Sequence, residues 1–192
     1  MSRRFEVTPG FLLLLLWFAR VNGWQLLVTV LLAAAVHESG HYLALRGLGA
    51  SVSGIRLCAL GMVMRVSNRR LSYGGELLAL LAGPLANLLA AWLLCRTGKM
   101  TAAGAHLVLG AFNLLPLWPL DGGRGLYLAV SWLAGPEAGW QAARWAGSCT
   151  AAGLAGGLLY VMYRTGGSLW LAPAVCGALG ALWRNVLGNL RD

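Results

Sequence analysis

The sequence predicts an all-α membrane protein of about six transmembrane helices, with a three-helix core and a short β-hairpin between spans two and three. Three observations predict this class. Of 192 residues, 58% are hydrophobic and 11% charged, and the mean hydropathy is +0.68; a soluble domain of this length carries far more surface charge. Nine tryptophans and 27 glycines fit a bilayer protein, because Trp collects at membrane interfaces and Gly is frequent in spanning helices. The apolar residues also gather into long runs separated by short basic connections.

Those runs lie at about 8–19, 24–45, 77–95, 102–133, 147–163 and 168–187, and crossing the hydrocarbon core takes roughly 20 apolar residues in a helix. The first run is short, which fits a tilted or partly re-entrant segment, or a signal sequence after Arg3 and Arg4. Without a small-x-small cleavage site it is read as an anchor. Between the second and third runs, Gly47 to Gly75 is the longest polar connection, with Gly54 and Gly61 punctuating apolar stretches. Short β-strands bounded by glycine fit it, and so does an amphipathic connector on the bilayer surface. The chain is expected to be a single domain over 1–192, with no further soluble tail.

The formal net charge is +9, yet the basic residues are scattered between apolar segments, so a nucleic-acid partner is not expected. Membrane topology accounts for them. With the N-terminus inside and six spans, the cytoplasmic set is Arg3, Arg4, Arg46, Arg56, Arg65, Arg69, Arg70, Arg124, Arg144, Arg184 and Arg191, against Arg20, Arg96, Lys99 and Arg164 outside. This asymmetry places both termini in the cytoplasm. Cys58, Cys95, Cys149 and Cys176 are far apart with no CxxC pair, and are read as apolar filler.

The chemistry concentrates in His37-Glu38-Ser39-Gly40-His41, an HExxH pattern inside an otherwise apolar helix. Chance produces this match in roughly one sequence in a thousand of such composition. Residues i and i+4 share a helix face, so both imidazoles can reach one Zn²⁺, while Glu38 lies beside the open coordination position and can take a proton from bound water. Histidines that merely hydrogen-bond between helices, with Glu38 paired to an arginine, are the plainer reading. Three ionisable groups within the bilayer weigh against it, since each costs at least roughly 2.5–3.5 kcal/mol at a helix centre.

A catalytic zinc takes a third protein ligand. Glu6 and Asp192 are terminal, Glu137 is expected in a cytoplasmic loop, and Glu76 opens the third span, where it complements a helix N-terminus. Asp121 remains, in the run Asn113 to Arg124, where Pro116, Pro119, Gly122 and Gly123 break an apolar segment. Counting about 1.5 Å per residue from the outer surface places His37 about 20 Å down, with Asp121 at a similar depth and His106 near the opposite surface, as an interfacial residue. Asn113 and Asn87 each fit either substrate binding and ligand orientation or ordinary interhelical bonding; the structural reading is favoured for Asn87. Gly40 is expected to give room for close packing.

HESGH on one spanning helix, followed by PLDGG on a later broken one, resembles the site-2 protease family of intramembrane zinc metalloproteases. NLLPLWPLDGGR, AGPLAN at Ala82 to Asn87 and the six-span layout are similar to the branch that includes stage IV sporulation protein FB. The resemblance spans nearly the whole chain. It implies that His37, His41 and Asp121 hold one Zn²⁺, that Glu38 activates water, and that the catalytic core runs from about 24 to 133. It also implies a membrane-protein or membrane-associated substrate, such as a sporulation-type transcription factor precursor, and an inhibitory or regulatory membrane partner. Neither the PDZ domain of one branch nor the CBS domain of the sporulation protease is expected among these 192 residues. The competing expectation is a non-enzymatic divalent-metal carrier using the same His and Asp residues, since intramembrane charge also marks ion pathways. Carriers more often show related halves, and no internal repeat is visible.

Overall fold

The structure, a computed structural model, describes residues 5–58, 61–67, 71–166, 175–180 and 183. Most of the expected sixth span, together with Arg3, Arg4, Arg69, Arg70, Arg184 and Arg191, lies outside the described residues. The chain divides into two compact units, Met1–Phe112 and Asn113–Asp192.

The first unit opens with strand β1 (Phe5–Val7) and helix α1 (Pro9–Asn22), which Pro9 starts and Gly23 ends at φ 83°; such a φ suits glycine, which has no Cβ to clash. Helix α2 (Trp24–Gly47) leads into strands β2 (Ser51–Cys58) and β3 (Gly61–Ser67), and helix α3 (Tyr73–Arg96) follows. The Ser72 hydroxyl caps α3 by accepting from the Gly75 N–H at 3.2 Å, and Glu76 sits in the first turn, the favourable place for a negative charge. Helix α4 (Met100–Asn113) returns from the turn at Thr97 to Lys99.

The expected hairpin is present as β2 and β3, antiparallel, and β1 adds a third strand parallel to β2, giving the order β1-β2-β3. The sequence reading did not anticipate β1, which is three residues long and too short to display an alternating pattern. Glu6 on β1 lies 3.8 Å from Arg56 and 3.6 Å from Arg65 across the sheet. Leu45, Ala50 and Ala79 form a core beneath it, with Leu48, Val52, Met64 and Leu71 packed around them.

Packing of α2 on α3 depends on small residues. A Cβ on Gly40 would stand 2.9 Å from the Ala82 carbonyl carbon and 3.0 Å from the Ala86 Cβ, so Gly40 does provide the expected room. Pro84 inside α3 is buried; proline within a spanning helix is tolerated where neighbours cover the lost hydrogen bond. The opposite face of α3 exposes Leu78, Leu85, Leu89 and Trp92, a face suited to lipid rather than water.

In the second unit, residues 114–120 form an irregular link before helix α5 (Asp121–Ala134), so the apolar run 102–133 is indeed interrupted at its prolines. Helix α6 (Pro136–Arg164) follows, and residues 175–180 are again helical. The expected fifth span covered only 147–163, with Glu137 in a loop; α6 begins earlier and holds Glu137 in its first turn. Gly139, Ala143, Gly147, Ala151 and Ala155 are buried along one face of α6, and small residues at four-residue spacing allow close helix contact. A Cβ on Gly139 would approach the Tyr127 carbonyl oxygen of α5 to 2.7 Å.

Among the described residues, three helices, α2, α3 and α6, are long and apolar enough to cross a membrane, while α1 is a shorter apolar helix.

Candidate metal centre

The HExxH pattern falls wholly within α2, so the i, i+4 spacing sets His37 and His41 on one face, a turn apart. Their Nε2 atoms are 3.1 Å apart, and the rings meet edge to face with centroids 4.7 Å apart at 85°. Each Nδ1 is occupied on its far side by a group of α3. His41 Nδ1 lies 2.8 Å from the Ala79 carbonyl oxygen, and because a carbonyl only accepts, this nitrogen carries the proton. The lone pair of His41 is thereby left on Nε2, the tautomer a metal requires.

Gly83 makes room for that ring. A Cβ there would stand 2.6 Å from His41 Cε1 and 2.8 Å from Cδ2. His37 is buried, and its Nδ1 is 3.3 Å from the carboxamide of Asn87, which is fully buried on α3. Asn87 also reaches His106 of α4, with His106 Nδ1 3.0 Å from Asn87 Oδ1.

This last contact departs from the sequence reading, which placed His106 at the opposite interface. Depth counting along one span does not tell which neighbour a residue packs against. Helix α4 folds back from the turn at Thr97 to Lys99, setting His106 and Asn87 at similar distances on either side of it. No local spacing in the sequence signals this contact, which arises from the packing of α4 on α3. Gly110, one turn beyond His106, supports the approach: a Cβ there would sit 3.2 Å from Asn87 Cβ and 3.3 Å from the Pro84 carbonyl oxygen.

Glu38 is half-buried on α2, rotated by about 100° from His37. Asn113 ends α4 and is also half-buried. In the second unit, Asp121 is the first residue of α5, after Leu120 in extended conformation at φ −64° and ψ 160°. The link before it is tight, with the Leu117 N–H donating to Leu115 O and the Leu120 N–H to Leu117 O. Gly122 and Gly123 fit closely under this link, and a Cβ on Gly123 would stand 2.7 Å from the Trp118 nitrogen. His37 and His41 together turn two imidazole nitrogens toward one point beside α2, donors of the kind that hold Zn²⁺.

No family profile matches the chain. A zinc metalloprotease of Methanocaldococcus jannaschii is 30% identical over 121 residues, which cover 56% of this chain. The match spans about a third, 35%, of that relative's own length. Among solved structures, the site-2 protease from Methanocaldococcus jannaschii superposes with a TM-score of 0.62 at 19% identity, covering 100% of this chain and 94% of that one. The chain thus shares the fold of a site-2 protease.

Proposed function

We propose that the chain is an intramembrane zinc metalloprotease of the site-2 protease family, cleaving a peptide bond within or next to a transmembrane or membrane-associated segment of a protein substrate. The observation that carries this reading is the pair of convergent histidine Nε2 atoms, 3.1 Å apart on a helix apolar enough to cross a membrane. The zinc metalloprotease relative and the shared fold support it. The narrower assignment to the sporulation branch rests on the NLLPLWPLDGGR and AGPLAN runs.

In this reading His37, His41 and Asp121 hold the ion and Glu38 is the general base. Zinc in such a site lowers the pKa of its water to about 7 and polarises a carbonyl. Glu38 takes the proton of the attacking water and returns one to the leaving amine, so one carboxylate serves both halves of the hydrolysis. The apolar flanks of α2 limit bulk water around it. A helical substrate must expose its scissile carbonyl, and an added strand would hold it extended. The Gly54–Val66 hairpin is the place proposed for this addition, with β3 an outer strand of the sheet.

The test is zinc content and cleavage of a single-span substrate by the purified protein. Wild type is expected to carry one zinc per chain. Glu38→Gln should keep it while losing cleavage by about a hundredfold or more; undiminished cleavage would overturn the assigned base. Asp121→Ala should lose zinc and Glu76→Ala should retain it.

A further inference from the structure

Resting on the metal reading above, we infer that His106 is a positioning residue which, through Asn87, fixes the ligating tautomer of His37. His37, Asn87 and His106 are 5%, 0% and 6% exposed, so water does not compete for the contacts between them. The carboxamide spans the two rings, 3.3 Å from His37 Nδ1 and 3.0 Å from His106 Nδ1. Its two ends are nearly identical in shape and opposite in chemistry: the oxygen accepts and the nitrogen donates.

Two directions of hydrogen bonding are self-consistent along this chain. In the first, His106 Nδ1–H donates to Asn87 Oδ1, Asn87 Nδ2–H donates to His37 Nδ1, and His37 Nε2–H donates to His41 Nε2. That direction places a proton on the nitrogen that must bind the metal. In the second, the carboxamide is turned by half a revolution, so that His37 Nδ1–H donates to Oδ1 and Nδ2–H donates to His106 Nδ1. All three rings are neutral in both. Only the second leaves the His37 Nε2 lone pair available, and it requires His106 to carry its proton on Nε2 and offer Nδ1 as an acceptor. His41 needs no such device, because the Ala79 carbonyl accepts in either direction.

The chain contains only three histidines, so each ring can be followed by ¹⁵N NMR of histidine-labelled protein loaded with zinc. The expected spectrum has protonated Nδ1 on His37 and His41 and bare, hydrogen-bonded Nδ1 on His106, identified by its absence in His106→Gln. Zinc competition titrations supply the second measurement. Asn87→Leu should weaken zinc about tenfold or more, and Asn87→Asp, which keeps an oxygen facing His37, should stay within about threefold of wild type. A zinc-loaded protein with His106 protonated on Nδ1, or equal affinities in the wild type and both variants, overturns the relay. If Asn87→Leu does not fold, the wild-type spectrum decides alone. A wild-type chain that binds no zinc overturns the metal reading itself, a result distinct from either of these.

Discussion

At the scale of single residues, the geometry around His41 is set as much by what is missing as by what is present. Gly83 has no side chain where a Cβ would run into the His41 ring, within 2.6 Å of Cε1. Backbone of α3 lies behind it, so the ring must yield. Gly83→Ala is therefore expected to turn His41 off the Ala79 carbonyl and weaken zinc binding by about tenfold, equivalent to about 1.4 kcal/mol. Gly153→Ala on α6 is the control, since a Cβ there meets nothing within 4 Å; its zinc affinity should match wild type in the same competition titration. HExxH was fully legible in the sequence because a helix turns spacing directly into a shared face. Gly83 and His106 were not, because their roles arise from how α3 and α4 pack, which local spacing does not encode.

At the scale of elements, the link between α4 and α5 decides where Asp121 begins its helix. Leu114, Leu115 and Leu117 carry the backbone over Gly122 and Gly123, whose missing side chains let it pass. Gly123→Ala would put a Cβ 2.6 Å from the Leu117 carbonyl carbon, and backbone cannot move aside as a flexible side-chain tip can. The expected outcome is loss of zinc and of cleavage with helix content by circular dichroism unchanged, because α5 itself tolerates alanine better than glycine. The break was legible from Pro116, Pro119 and the glycine pair, whose effects are local. The start of α6 was not: Gln141 and Arg144 dilute the hydropathy of its first turns, whereas its buried stripe of Gly and Ala holds it by close contact that a hydropathy scale undervalues. The brief strand β1 likewise owes its existence to pairing with β2, a partner distant in sequence.

At the scale of the whole molecule, the sheet makes the expected orientation in the bilayer testable. Pairing of Phe5, Glu6 and Val7 with Ile55, Arg56 and Leu57 holds the start of the chain on the same side as the connection after α2. Arg46, Arg56 and Arg65 gather on this side, and α3, 24 residues and about 36 Å long, carries the chain away to Arg96 and Lys99. By the basic-residue asymmetry of the whole sequence the sheet side is expected in the cytoplasm, which predicts the turn at Thr97 to Lys99 outside. Cysteine accessibility tests this in a background with the four native cysteines removed. Thr97→Cys, exposed on the turn, should react in intact cells with a membrane-impermeant maleimide, whereas Ser53→Cys, exposed on β2, should react only after permeabilisation. Because Ser53 lies on the strand beside β1, its protection also reports the side of the N-terminal strand. The reverse pattern would invert the protein and move the proposed substrate-binding edge of β3 to the outer face.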